Sequence, residues 1–377
     1  MAFEVGNPSF RLFKCGEEIN EGLIEAFRRR LAPRPEAITA APMEAWAGWR
    51  HLLDRDLDED HCLFIPWLYI SRMKSERKIP KALLRSYCRL EEAEALKKSG
   101  AETLAPAARA EIRERIIGRL TPDMPPTLTG YGVVVDFATG AVYAEATSAK
   151  AAEAFAEAFK STSGHTLAAL NPETVAVLRK GVNANDLESA VFTDDESVEI
   201  PERCSLGLEF LTWMWYSWEE EADAFENTRG DRVEYLMEGP VAFYNEGKGA
   251  HTVVIRNGLP LQSREAGAAL LCGKKVRKIK FSMATAAGAW TATLDSDFTF
   301  GGVKLPKERG GGKQTVQERM GLLDTFVESV FSLYDKFLDL RSDAHAWARV
   351  EKKMRAWVRR RAEMADGDIT LHARSGA

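Results

Sequence analysis

The chain has 377 residues, of which 45% are hydrophobic and 28% charged, with a formal net charge of −5. This is the composition of a globular protein, and the length predicts two domains. No run of about 18 apolar residues occurs, and the first residues lack a basic region followed by an apolar segment. These features argue against a membrane span and a secretory signal, and we expect a cytoplasmic protein.

The sequence has five dispersed cysteines: Cys15, Cys62, Cys88, Cys204 and Cys272. Their spacing predicts neither a disulfide framework nor a cysteine-rich zinc site. Phosphate-binding loop, zinc-protease and serine-hydrolase motifs do not occur either. Asp295 and Asp297 are possible metal ligands for an enzyme, but their spacing fits no metal mechanism. We therefore predict a protein that is not an enzyme and has no cofactor or metal.

The N-terminal part of the chain predicts strands and one helix. Residues 7–15 alternate enough for a strand, and residues 19–31 fit a helix that Asn20 can cap. Residues 32–43 are rich in proline and form a connection. The apolar run at 63–70 then supplies further strand material.

Residues 71–120 predict two long helices that carry many basic side chains. Pro80 can open the first helix and Gly100 can end it, while Pro106 opens the second. Apolar residues recur at helical spacing in both, so each helix has one face to bury. The basic residues either solvate the two helices or form a face that follows a phosphate backbone. The sequence leaves both alternatives open.

A proline-rich loop at 121–130 precedes a predicted hairpin and helix. Two strands, YGVVVDF and AVYAEA, are joined by a short turn that contains glycine. Ser148 is a good N-cap for the helix that follows, and Phe155 and Phe159 lie on its buried side. This order of strand, turn, strand and helix predicts a compact α+β unit.

The stretch 207–221, GLEFLTWMWYSWEEE, concentrates large aromatic side chains. Their spacing is that of one helical face, and each can bury much apolar area. We interpret the stretch as a helix in the core or at an interface, with a platform for stacking bases as the functional alternative. Residues 183–203, which precede it, are polar and acidic and predict a surface insertion or a domain boundary.

The pattern from 231 to 305 predicts strands, interrupted by a short helix at 262–272. The strand 276–283 alternates apolar and basic residues. Residues 309–313 (RGGGK) form a flexible link before a long amphipathic helix. Near the end, residues 349–361 contain seven basic residues and one glutamate.

Several of these stretches together resemble the RdgC family of bacterial recombination-associated DNA-binding proteins. The resemblance is carried by KIPKALLRSYCRLEEAE, RAEIRERIIGRLTP, VVVDFATGAVYAEATSAKAAEAFAEAF, GLEFLTWMW and SREAGAALLCGKKVRKIKF. It covers about residues 7–340, mostly as the pattern and order of elements. It implies an α+β fold with two similar strand–helix halves, long helices and a ring-forming subunit.

The resemblance also implies a homodimer closed into a ring, whose positively charged hole takes duplex DNA with little sequence preference. Such a protein limits the access of RecA to DNA, so its effect on RecA is indirect. The loop before the hairpin contains Asp123 and no basic residue, which leaves Arg119 and Tyr131 as candidates there. The predicted DNA-binding residues are Lys74, Arg77, Lys78, Lys81, Arg85, Arg119, Arg256, Lys274, Lys275, Arg277, Lys278 and Lys280.

The sequence thus predicts four regions. They are an N-terminal α+β region at 1–182, an acidic linker at 183–203, a C-terminal α+β region at 204–345 and a basic tail at 346–377. The predicted protein is associated with the nucleoid and modulates homologous recombination. The alternative is a structural module that docks a partner protein through the tryptophan-rich stretch.

Overall fold

The computed structural model describes residues 2–19, 22–33, 45–50, 57, 62–221, 224–245, 252–257, 259–307 and 312–363. The fold is mixed α+β, as predicted. It contains two compact units: an inserted unit, Ile19–Val134, and a main unit, Met1–Glu18 with Val135–Ala377. These units do not coincide with the predicted regions, because the first strand pairs with strands that follow residue 135.

The elements take their numbers from chain order within the described ranges. The strands are β1 (Arg11–Cys15), β2 (Ala45–Arg50), β3 (Leu63–Phe64), β4 (Trp67–Arg77), β5 (Pro126–Asp136), β6 (Ala141–Ala144), β7 (Leu167–Ala169), β8 (Phe225–Glu226), β9 (Arg232–Tyr244), β10 (Thr252–Ile255), β11 (Lys275–Thr285), β12 (Gly288–Asp295) and β13 (Phe300–Lys304). The helices are α1 (Gly22–Arg28), α2 (Lys81–Ser99), α3 (Pro106–Leu120), α4 (Ala149–Ser163), α5 (Pro172–Lys180), α6 (Leu206–Glu220), α7 (Arg264–Leu271), α8 (Val316–Ser342) and α9 (Ala344–Glu363).

The inserted unit combines paired strands with a helical hairpin. Strands β2 and β3 both pair antiparallel with β4. Helix α1 packs on β2 through Phe27 and Trp49, whose rings lie 4.4 Å apart. Helix α2 begins after Pro80 and ends at Gly100 (φ 66°), so both predicted boundaries are confirmed. Asn20, the predicted cap of α1, lies outside the described residues.

The loop predicted at 121–130 is shorter than expected, because β5 already begins at Pro126. The hairpin and helix that follow agree with the prediction. Gly140 adopts φ 68° at the turn between β5 and β6. The Ser148 side chain accepts a hydrogen bond from the Ala151 backbone at the start of α4. In the main unit, β6, β1 and β7 lie side by side and antiparallel.

The second sheet of the main unit has the order β10–β9–β11–β12–β13, with β8 paired to β9. The two strands predicted from VEYLME and VAFYNE form the single 13-residue strand β9. Phe10, just before β1, exchanges two backbone hydrogen bonds with Phe300 of β13, at 2.8 and 3.0 Å. The start of the chain is therefore joined to the sheet formed near its end.

Helix α6 contains the tryptophan-rich stretch and lies in the core of the main unit. Trp213 and Trp215 are both buried. Phe210 contacts Tyr334 of α8, with ring centroids 4.9 Å apart. The core interpretation is confirmed, and the base-stacking alternative is wrong because these rings are not exposed. For the same reason, Trp213 and Trp215 are not presented to a partner protein, whereas Trp218 is half-buried.

The segments predicted as an acidic linker and a basic tail both contribute to this core. The predicted acidic linker buries Ala190 and Phe192. The predicted basic tail forms α9 as far as Glu363, and it buries Trp347 and Trp357. Apolar residues recur at helical spacing among its arginines and lysines, which gives the helix one face to bury. The predicted flexible link falls partly on residues 308–311, which lie outside the described ranges.

Candidate nucleic-acid interface

A cationic groove lies between α2 and α3 in the inserted unit. Its volume is about 500 Å³. Five of its nine lining residues are cations and one is acidic: Lys81, Leu84, Arg85, Cys88, Arg89, Glu92, Arg109, Ala110 and Arg113. Such a concentration of positive charge attracts polyanions even though the whole chain is negatively charged.

The groove follows from the residue spacing along the two helices. Basic residues recur every four positions on each of them, and residues at that spacing share one face of a helix. On α3, a different face carries the buried residues Ile112, Ile116 and Leu120, which pack against Leu84 and Cys88 of α2. Apolar packing therefore holds the helices together and leaves the cations at the surface.

The five groove cations have no ion pair with any other residue in the described part of the chain. Arg115 and Arg119 differ, because both contact Glu91 at 2.8 and 2.9 Å. The hydrogen bond from Arg115, supported by the charges of both arginines, holds the pKa of Glu91 below its ordinary value. On this side of the hairpin Glu91 thus offsets part of the arginine charge, whereas the groove cations have no ion pair within the described chain.

The predicted cations at the end of β4 are partly engaged by other groups. Lys74 and Lys78 share the carboxylate of Glu76, and hydrogen bonds from Lys78 and Lys74 lower the pKa of Glu76. Arg77 donates to the backbone carbonyls of Pro122 and Met124. These residues are less available to an external phosphate than the groove cations are.

Of the residues predicted in the inserted unit, only Lys81 and Arg85 line the groove. The structure adds Arg89, Arg109 and Arg113 to them. The signal for the last two was present in the segment ARAEIRER, where two arginines stand four positions apart on the face beside the buried isoleucines. The pairing of Arg119 with Glu91 was not predictable from local sequence, because 28 positions separate them.

Lys275 was predicted to contact DNA, and this prediction is wrong. Only 6% of Lys275 is exposed, and its Nζ lies 3.4 Å from a carboxylate oxygen of Glu209. A register shift between Val276 and Lys278 in the pairing of β11 with β9 interrupts the alternation on which the prediction depended. As a result, Lys275 and Val276 both face the core.

The other basic residues predicted in the main unit occupy different environments. Arg277 and Lys278 are exposed on β11, with Arg277 over the Tyr244 ring at 5.3 Å. Lys280 pairs with Glu238 and is half-buried, as is Lys274. Arg256 is exposed after the end of β10. None of these five residues lines the groove between α2 and α3.

No cluster of three or more histidine, cysteine or acidic residues suited to a metal ion occurs in the described ranges. Asp297 forms an ion pair with Arg11. Burial raises the pKa of Asp295, and the nearby Asp297 charge adds to this. The helices that the structure describes include none long and apolar enough to cross a membrane.

Comparisons with known proteins do not identify a family for this chain. No family model matches the sequence, and no curated protein matches it significantly. The RdgC resemblance therefore stays a prediction.

Proposed function

We propose that this protein binds duplex DNA without sequence specificity and modulates homologous recombination, as a ring-shaped homodimer that limits the access of RecA to DNA. The observation that supports DNA binding is the groove between α2 and α3, where five cations have no acidic partner within the described chain. The ring, the dimer and the effect on RecA depend on the RdgC resemblance.

The net charge of −5 does not conflict with this proposal. A bound phosphate experiences the nearby cations far more strongly than distant carboxylates, because salt screens charges beyond about 8 Å at physiological ionic strength. Contacts to phosphates release condensed counterions and carry no sequence information. Binding should therefore depend steeply on salt and weakly on sequence.

The test is a titration of the protein into two unrelated duplexes of equal length at several salt concentrations, monitored by fluorescence anisotropy. If the groove neutralises about three phosphates, one for each cation of its longer row, log K falls with log salt with a slope of about −2.7. That slope weakens binding roughly 40-fold between 50 and 200 mM salt. Absence of binding at low salt, or affinity that does not respond to salt, would contradict the proposal.

The assembly and the recombination role need separate measurements. Light scattering coupled to size exclusion should give twice the mass of 41.9 kDa for the chain. Preincubation of duplex DNA with the protein should slow RecA-dependent strand exchange at low salt, and the Arg85→Gln, Arg113→Gln variant should lose this effect. A protein that binds DNA as a monomer would contradict the proposed ring and dimer but not the proposed DNA binding.

A further inference from the structure

We propose that the groove between α2 and α3 takes one phosphodiester strand lengthwise, with successive phosphates in register with the cations on its two walls. This inference deepens the proposed function and rests on it. It assigns the ligand class and the number of phosphates to a defined set of side chains.

The spacing of the cations along each helix is close to the spacing of phosphates along one strand. Lys81, Arg85 and Arg89 follow one another every four residues along α2, and Arg109 and Arg113 do so along α3. At 1.5 Å per residue, neighbouring positions in each row are about 6 Å apart along the helix axis. Successive phosphates of one B-form strand are about 7 Å apart, since each step of about 3.4 Å along the axis brings about a tenth of a turn around it. The two repeats match closely enough for each phosphate to face one cation of a row.

The length of the two rows of cations limits the number of phosphates that the groove can take. The next position after Arg89 in its row is Ala93, and the next after Arg113 is Ile117, so both rows end there. The negative charge of Glu92, which also lines the groove, disfavours a further phosphate on the α2 side. The α2 row is about 12 Å long. The groove therefore accommodates about three consecutive phosphates.

The chemistry of the groove lining suits phosphates better than bases. The remaining lining residues are Leu84, Cys88, Glu92 and Ala110. The lining thus has no amide, hydroxyl or aromatic side chain, which are common groups for reading or stacking a base. Arginine is suited to the geometry of phosphate oxygens, and four of the five cations are arginines. The lining therefore favours contacts to the phosphates of the strand over stacking of its bases.

A paired variant of the full chain tests which cations bind. Arg85→Gln with Arg113→Gln removes one cation from each wall and should reduce the salt slope by about 1.8. If the variant and the wild type converge at 1 M salt, that difference corresponds to roughly 60-fold weaker binding at 0.1 M. Lys97→Gln with Lys98→Gln is the control, since it removes the same charge from exposed positions of α2 outside the groove.

A second measurement uses the wild-type side chain of Cys88, which lines the groove and forms no disulfide. A single-stranded tetranucleotide with three internal phosphates should slow the alkylation of Cys88, as followed by peptide mass spectrometry. A cysteine introduced as Ser99→Cys, at the exposed end of α2, should be alkylated at the same rate with and without the strand.

The outcomes separate the two proposals. If DNA binds with a steep salt dependence but the groove variant behaves like its control, the groove inference is overturned and DNA binding stands. If duplexes protect Cys88 and single strands never do, one-strand binding is overturned. If the wild type binds no nucleic acid even at low salt, the proposed function itself fails.

Discussion

At the scale of single residues, the carboxylate of Glu209 on α6 forms ion pairs with two buried cations. It is fully buried, with Arg341 Nε at 2.9 Å and Lys275 Nζ at 3.4 Å. The Ala190 backbone also donates a hydrogen bond to it, at 2.8 Å. Two buried cations therefore depend on one carboxylate, and they come from segments far apart in the sequence.

We predict that Glu209→Ala destabilises the protein by about 3 to 5 kcal/mol, because it leaves two buried cations without a counter-charge. Urea unfolding followed by circular dichroism measures this change. Glu202→Ala removes the same charge from an exposed position and should change the free energy of unfolding by less than about 0.5 kcal/mol. Equal stability of the two variants would show that Glu209 does not compensate the cations.

At the scale of secondary-structure elements, Glu91 couples α2 to α3 through Arg115 and Arg119. These contacts lower its folded-state pKa below the ordinary value of 4.5. A carboxyl group with a lowered folded pKa stabilises the fold above its unfolded pKa, and this contribution is lost as pH falls through the folded pKa. Glu91→Gln should therefore lower Tm at pH 7, and the difference from wild type should vanish at a pH below the folded pKa.

Thermal unfolding of the wild type and the variant measures that convergence. The scans run from pH 3 to pH 7 in steps of about half a pH unit. Glu94→Gln is the matched control, since Glu94 is an exposed carboxylate on the same helix with no ion pair in the described chain. A Tm difference for Glu91→Gln that stays constant with pH would contradict the prediction.

The packing of α6 against the β12–β13 turn makes a second prediction at this scale. A Cβ at Gly207 would overlap the carbonyl oxygen of Ser296. Gly207→Ala should destabilise the protein by about 1 to 3 kcal/mol, because backbone must move to relieve the overlap. Gly118→Ala, on α3, meets nothing within 4 Å and should stabilise by about 0.5 to 1 kcal/mol. Chemical denaturation of both variants measures these changes, and a Gly207→Ala protein as stable as the wild type would contradict the prediction.

The elements also show what the sequence could and could not predict. Helix boundaries at Pro80, Gly100 and Ser148 were predictable because proline, glycine and serine act on the backbone within one turn. The burial of Lys275 was not, because it depends on a register shift in β11 and on a carboxylate 66 positions away. The groove is an intermediate case. The spacing of the basic residues on each helix could be read from the sequence, but the absence of ion pairs to these cations within the described chain depends on the folded structure.

At the scale of the whole molecule, α9 completes the core of the main unit. Arg361 is buried, pairs with Glu219 and lies over the Trp215 ring at 4.5 Å. Burial raises the pKa of Glu219 despite the Arg361 charge. Without α9, that carboxylate would lose its buried partner, and Trp215 would lose its contact with Trp357.

In a chain that ends at Asp343, the main unit should therefore unfold without a cooperative transition, and its tryptophan emission should shift to longer wavelength. A chain that ends at Glu363 retains every described contact and should keep the wild-type Tm. Differential scanning calorimetry with fluorescence compares the two. A cooperative transition at the wild-type temperature for the shorter chain would show that α9 is dispensable for the core.

The hydrogen bonds between Phe10 and Phe300 have a consequence for synthesis on the ribosome. Residue 300 leaves the ribosome well after residue 10, roughly 15 to 60 s later at typical elongation rates. The nascent β1 region must wait for that partner, whereas Ile19–Val134 is continuous and can fold first. Translation speed and chaperone occupancy should therefore affect the main unit more than the inserted one.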